Sequence, residues 1–112
     1  MARLNLLALR CRDIDGTRTF YERLGISFSK HRHGSGPDHY AYDGAGFVLE
    51  LYPASAEDHD RTGLGFSVGD LEGSRAAFVA AGLTASEIQE NPWGRSYVVR
   101  DPDGRRVEIS AK

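Results

Sequence analysis

The strongest constraint on the fold of this chain is an internal repeat at a spacing of 57 to 58 positions. Residues 13–18 (Asp-Ile-Asp-Gly-Thr-Arg) align with residues 70–75 (Asp-Leu-Glu-Gly-Ser-Arg) at a shift of 57. Residues 49–51 (Leu-Glu-Leu) align with residues 107–109 (Val-Glu-Ile) at a shift of 58. Matches in the same order at nearly one offset indicate a tandem duplication. The predicted modules are residues 1–56 and 57–112.

Each copy has the pattern β-α-β-β-β. In the first copy an apolar stretch precedes Asp13, a predicted helix N-cap, and the helix is expected to end at Gly25. In the second copy the predicted helix covers residues 71–81 and Gly82 follows it. The predicted strands are residues 4–11, 26–32, 39–42, 47–52, 65–68, 84–89, 96–100 and 106–110.

Neither copy is large enough to bury its helix and sheet well alone, which favours one compact domain. We therefore predict an α+β fold. Its tandem βαβββ modules would form a curved eight-stranded mixed sheet around a cleft, with the helices outside.

Composition excludes several classes of function. A net charge of −2 over 112 residues gives no reason to expect a nucleic acid or an anionic membrane as partner. The N-terminal apolar run is too short to span a membrane and lacks a signal-peptide cleavage site. Cys11 is the single cysteine, which excludes an internal disulfide and a zinc site built on paired thiolates. We expect a cytoplasmic protein.

Two motifs carry a family likeness. Residues 101–109 (Asp-Pro-Asp-Gly-Arg-Arg-Val-Glu-Ile) and residues 20–25 (Phe-Tyr-Glu-Arg-Leu-Gly) resemble the vicinal-oxygen-chelate superfamily of glyoxalases, bleomycin-resistance proteins and dioxygenases. Residues 92–94 (Pro-Trp-Gly) are most similar to the bleomycin-resistance branch. The resemblance covers essentially the whole chain and implies a homodimer with small-molecule clefts.

The resemblance also implies where a metal would be held. Metalloenzymes of this superfamily take one ligand from the first and last strand of each copy, which here are Leu6, Glu50, Gly63 and Glu108. Leucine and glycine offer no donor atom, so we interpret the metal site as lost. We expect no cofactor, although the two carboxylates alone could hold a divalent metal weakly.

The resemblance predicts that Glu50 and Glu108 face each other. Two close carboxylates need a proton, an arginine such as Arg10 or Arg106, or a cationic ligand. Trp93, Tyr52 and Tyr97 could offer ring faces for stacking, although tyrosines also pack sheets. The predicted ligand-binding residues are Arg10, Glu50, Tyr52, Trp93, Tyr97 and Glu108.

Histidines offer a further cluster. His31, His33 and His39 surround a Gly-Ser-Gly-Pro-Asp loop and, with Asp38, could imitate a metal site. We expect them instead to be solvated and remote from Glu50. His59 is assigned to a polar linker between the modules.

Three functions remain open. The first is a binding protein that sequesters a small cationic or aromatic compound. The second is a lyase, isomerase or transferase that uses Glu50 or Glu108 as a general base or as a weak metal ligand. The third is an accessory domain whose groove is filled by side chains such as Leu6.

Overall fold

The computed structural model describes residues 1–55 and 60–112. His59 and the predicted module boundary lie outside the described residues. The chain separates into two compact units, Met1–Asp60 and Arg61–Lys112. Each unit contains one helix and a four-stranded mixed sheet, so the α+β class and the βαβββ repeat are confirmed. Among the described residues, no helix is long and apolar enough to cross a membrane.

The first unit is built from β1 (Leu6–Cys11), α1 (Ile14–Glu22), β2 (Ser29–His31), β3 (His39–Asp43) and β4 (Val48–Pro53). The strand order is β1-β4-β3-β2, with β1 parallel to β4 and the other pairs antiparallel.

The second unit repeats this plan with β5 (Leu64–Val68), α2 (Leu71–Ala80), β6 (Gln89–Asn91), β7 (Gly94–Arg100) and β8 (Arg106–Ala111). Its strand order is β5-β8-β7-β6, with β5 parallel to β8. The two units therefore share one topology.

The helix ends follow the sequence signals. Asp13 accepts a hydrogen bond from the Gly16 amide, and Asp70 accepts one from the Gly73 amide. Each carboxylate satisfies one of the amides that a first helical turn leaves without a partner. After each helix the chain turns through a glycine with positive φ, at Gly25 and Gly82.

One face of each sheet packs on its helix. In the first unit, Leu9, Leu51 and Tyr40 are buried together with Phe20 and Tyr21 of α1. The corresponding buried residues of the second unit are Leu71, Phe78, Tyr97, Val99, Val107 and Ile109. We call these the helix sides of the two sheets.

Two short strands differ from the prediction. The sixth strand was expected at residues 84–89, but β6 comprises Gln89–Asn91. The Ser86 carbonyl accepts a hydrogen bond from Arg75, so the Val98 amide donates to the Ser86 hydroxyl instead. A regular ladder is thereby interrupted. Likewise β2 begins only at Ser29, because the Phe28 amide is held by the Glu22 carboxylate at the end of α1.

Candidate functional site

Glu50 lies on the face of the first sheet that is turned away from α1. Its Cα is paired with Ala8 of β1 and Ala41 of β3. Because side chains alternate along a strand, every second residue shares its side of the sheet. We call this the Glu50 face; it comprises Leu6, Ala8, Arg10, Ser29, His31, His39, Ala41, Asp43, Val48, Glu50 and Tyr52.

A stacked row crosses this face. The Arg10 guanidinium lies 4.9 Å from the centre of the Tyr52 ring, a cation–π contact. On β3, the His39 ring stacks on Tyr52 with centroids 4.2 Å apart and planes within 9° of parallel. The next ring, His31 of β2, lies 5.9 Å from His39. We call Arg10, Tyr52 and His39 the stacked row.

His39 joins the row to the carboxylate. Its Nε2 atom is 3.8 Å from Oε2 of Glu50, and the histidine is only 1% exposed. Its Nδ1 lies 3.4 Å from the Pro37 carbonyl oxygen, whereas Nε2 has no hydrogen-bond partner among the described residues. A buried imidazole nitrogen without a partner is costly, so it is unusual away from a functional site.

The expectation that His39 is solvated and remote from Glu50 is therefore wrong. The antiparallel register of β3 and β4 pairs Tyr40 with Leu51 and Ala41 with Glu50. This register places His39 beside Tyr52 and diagonal to Glu50. Counting outward from the turn at residues 44–47 would have given this register.

The other two histidines remain at the surface. His33 and His39 have ring centroids 5.1 Å apart, and His31 and His33 stack at 6.2 Å. Both His31 and His33 are exposed. In the described part of the chain, no three His, Cys, Asp or Glu side chains are arranged to hold a metal ion.

Glu108 holds the equivalent position in the second unit. Its Cα is paired with Gly65 of β5 and Val98 of β7. The Arg106 guanidinium lies 3.7 Å from the Glu108 carboxylate, which is one of the neutralising contacts that the sequence predicts. We call this surface the Glu108 face; it comprises Gly65, Ser67, Gln89, Asn91, Gly94, Ser96, Val98, Arg100, Arg106, Glu108 and Ser110.

The two predicted stacking residues of the second unit differ in environment. Trp93 is 72% exposed, in the two-residue turn between β6 and β7. Tyr97 is buried on the helix side, where its ring meets Phe78 edge-on and its hydroxyl is 2.8 Å from Ser74. Burial raises the pKa of the Tyr97 hydroxyl. The Tyr97 ring therefore packs in the core, on the opposite side of the sheet from Glu108.

The chelate positions of the family do not fit a transition metal. Leu6 lies in β1 with an aliphatic side chain, and a Cβ added at Gly63 would meet nothing nearer than the Arg106 carbonyl at 4.0 Å. A catalytic metal of the zinc type needs about three protein ligands, whereas these positions leave the two carboxylates alone.

A protein-family model matches residues 3–109, and its description is the glyoxalase/bleomycin resistance protein/dioxygenase superfamily. Solved structures share the fold at low sequence identity. TnmS3, an antibiotic binding protein from Streptomyces sp. CB03234, is 19% identical with a TM-score of 0.80, over 99% of this chain and 96% of its own.

Two relatives have names that imply other activities. Lactoylglutathione lyase from Agrobacterium tumefaciens is 18% identical with a TM-score of 0.74, over 99% of this chain and 94% of its own. Oxidase ChaP-H2 is 22% identical with a TM-score of 0.80 and the same coverages. No curated protein sequence matches the chain. The family model spans nearly every residue, and this chain belongs to the glyoxalase/bleomycin resistance protein/dioxygenase superfamily.

Proposed function

We propose that this protein binds a small planar compound on the Glu50 face without a tightly held metal. The observation that carries the proposal is the stacked row beside a carboxylate whose side chain is 18% exposed. A relative of the same fold, TnmS3, is described as an antibiotic binding protein. Sequestration of such a compound is the function that these residues favour.

The chemistry of the row sets the ligand class. Tyr52 is half-buried and is the ring of the row that a ligand can contact, while the buried His39 supports it from behind. An aromatic contact of this kind contributes about 0.5–1.5 kcal/mol beyond the area that is buried. Glu50 would add charge selection, because a cation beside it offsets its negative charge. An aromatic cation uses both features, so we propose this class over neutral or anionic compounds.

A ligand screen tests the proposal. The full chain is titrated with planar aromatic cations, their neutral isosteres and glycopeptide antibiotics, using calorimetry together with the fluorescence of the exposed Trp93. We expect saturable heats for the cations, with affinity about tenfold to a hundredfold lower in Tyr52→Ala, which corresponds to about 1.4–2.8 kcal/mol. Glu50→Gln should reduce the preference for the cation over its isostere.

The matched control is Tyr42→Ala. Tyr42 lies on the same sheet in β3, but its register partner is Leu49, so it is on the helix side. Its substitution should leave ligand affinity unchanged. Equal losses in Tyr42→Ala and Tyr52→Ala, or no saturable binding of any compound, would contradict the proposal.

The absence of a tight metal is tested separately. Metal content of gently purified protein and thermal shifts with nickel, zinc, manganese and magnesium would measure it. We expect substoichiometric metal and no rise in melting temperature, since Leu6 and Gly63 supply no donor atoms. Stoichiometric metal that disappears in Glu108→Gln would contradict this expectation.

A second candidate function is proton transfer by a lyase, isomerase or transferase. The feature that favours it is the buried, unpartnered Nε2 of His39 next to Glu50, since general acid–base groups need such positioned neighbours. Turnover of hemithioacetals and epoxides by the wild type, Glu50→Gln and Glu108→Gln would test it. Equal rates in all three would exclude this function for both carboxylates.

The predicted assembly and location remain proposals. We propose a homodimer in the cytoplasm, as the family likeness and the absence of paired cysteines indicate. Light scattering during size-exclusion chromatography would show one species of twice the chain mass. A species of single chain mass at all concentrations would contradict the dimer.

A further inference from the structure

A recess at one end of the second sheet is lined almost entirely by arginine. It has a volume of about 230 Å³, and its walls are Arg61, Arg100, Gly104, Arg105 and Arg106. Arg100 ends β7 and Arg106 begins β8, while Arg61 precedes β5. Arg106, which lines the recess, is two residues from Glu108 on β8 and on the same face of the sheet. All of the lining residues belong to the second unit.

Arg100 and Arg106 are directly opposite each other in the antiparallel register of β7 and β8. Like charges at directly opposed positions destabilise a sheet. The polar contacts of these side chains are long: Arg100 donates to the Gly104 carbonyl at 3.5 Å, and Arg106 lies 3.7 Å from Glu108. The opposed pair is therefore only weakly compensated by these groups.

Arg105 has a different role. Its side chain is completely buried, and its Nη1 atom lies 3.0 Å from Asp101 and 3.5 Å from Asp103. These two carboxylates more than balance its single positive charge, so Arg105 forms a fixed wall of the recess and not an available cation. The exposed guanidinium groups at the recess are those of Arg61, Arg100 and Arg106, and the Glu108 carboxylate lies 3.7 Å from Arg106.

We propose that this recess binds a small oxyanion, the phosphate or carboxylate group of a soluble molecule. The planar guanidinium matches both groups with two parallel hydrogen bonds. An anion between Arg100 and Arg106 also relieves their mutual repulsion. A volume of about 230 Å³ is below the range of roughly 300–1,000 Å³ of pockets that enclose drug-sized ligands, so it fits one anionic group.

The site goes beyond the function proposed above, since it takes an anion and involves none of the stacked row. Gly63 and Gly65 of the neighbouring chain segment add no side chain beside Arg106 and Glu108. Access to the guanidinium groups from that side is therefore not blocked by a side chain of these two residues.

Calorimetric titration of the full chain with sodium phosphate and sodium acetate, against sodium chloride at equal ionic strength, tests the proposal. We expect saturable binding of phosphate, acetate or both, and the tighter of the two identifies the preferred group. Arg100→Gln and Arg61→Gln should each weaken that binding about tenfold, equal to about 1.4 kcal/mol. Glu108→Gln should strengthen it severalfold, because a competing carboxylate is removed.

Arg32→Gln is the matched control, since Arg32 is an exposed arginine of the first unit. Its affinity should equal that of the wild type, and so should that of Tyr52→Ala. Without added anion, Arg100→Gln should melt about 1–4 °C higher than the wild type, as like-charge repulsion is removed. No binding above the chloride baseline, or equal weakening by Arg32→Gln, would overturn the proposal while leaving the stacked row untouched.

Discussion

Both units attach their sheet to the first turn of their helix through a tyrosine hydroxyl. Tyr40 donates to Asp15 in the first unit, and Tyr97, 57 positions later, is bonded to Ser74 in the second. The Glu50 face and the Glu108 face, which are turned away from the helices, carry different sets of contacts. The Glu50 face carries the stacked row, whereas the Glu108 face has Gly65 on β5 and two opposed arginines at its end.

This difference indicates which side of the duplicated module tolerates changes of side chain and which does not. On the helix sides, close packing tolerates few changes because each lost contact or cavity is costly. On the opposite faces the side chains differ between the units, and among the described strand positions the residue that both units share is glutamate, at Glu50 and Glu108. We infer that the two faces have separate binding tasks on a shared scaffold.

The largest change in the free energy of unfolding is expected at Asp101, which the repeat aligns with Asp43 at a shift of 58. Asp101 is buried and accepts hydrogen bonds from the Asp103 and Arg105 amides and from the Arg105 guanidinium. Asp43 is exposed and accepts one from the Ala45 amide. Asp101→Ala should lower the free energy of unfolding by about 3–5 kcal/mol, because it leaves Arg105 buried without that partner.

Asp43→Ala is the control and should cost less than about 1 kcal/mol. Urea denaturation followed by circular dichroism measures both values. Equal losses of unfolding free energy in the two variants would show that the two aspartates have equivalent roles, which would contradict the difference in their contacts.

The next largest change in stability compares Tyr97, on the helix side of the second sheet, with Tyr52, on the Glu50 face of the first sheet. Tyr97→Ala should cost about 3–5 kcal/mol, since it empties a ring-sized volume next to Phe78. Tyr52→Ala should cost about 0.5–1.5 kcal/mol, the value of a stacked ring pair. Thermal denaturation gives the order, and a more damaging Tyr52→Ala would show that the stacked row is structural rather than a binding surface.

A smaller effect concerns the glycines in the first helical turns. An added Cβ at Gly16 or Gly73 would collide with the carboxylate of the preceding cap, Asp13 or Asp70. Gly16→Ala and Gly73→Ala should each cost about 1–2 kcal/mol through the weakened cap. Gly69→Ala, where an added Cβ meets nothing within 4 Å, is the control and should stay within about 0.5 kcal/mol. If only one of the two variants lost stability, the helix caps of the two units would not be equivalent.

The smallest effect is at alkaline pH. The hydrogen bond to Asp15 raises the pKa of Tyr40, and burial raises the pKa of Tyr97. A raised pKa means that the folded state retains its proton longer than the unfolded chain, so stability is present below the ordinary tyrosine value of about 10 and lost above it. The free energy of unfolding should fall as pH rises above about 10, and less steeply in Tyr40→Phe and Tyr97→Phe. An unchanged slope in the double variant would contradict this assignment.

The scaffold could be read from the sequence because its signals are local. The caps at Asp13 and Asp70 and the glycines after each helix depend on neighbours within one turn, and the repeat shows each of these signals twice. The limits of β6 could not be read, since Arg75 competes for the Ser86 carbonyl from another element.

The face of the sheet on which a site residue lies depends on how the strands pair, and the sequence pattern did not determine that pairing. Tyr97 was predicted to face a ligand, yet it lies on the helix side because Val98, not Tyr97, is paired with Glu108. His39 was expected to be solvated and remote from Glu50, yet its register places it beside Tyr52. A shift of one residue moves a side chain to the other face, so a face assignment needs the ladder itself.

The most direct test of the central claim is a nuclear magnetic resonance titration with a planar aromatic cation such as acridine orange. Chemical shifts of the full chain are followed for residues on both sides of the first sheet. We expect saturable shifts at Tyr52, His39 and Glu50, little change at Leu9 and Tyr40, and loss of the effect in Tyr52→Ala. Shifts confined to the helix side, or none with any compound of the screen, would contradict it.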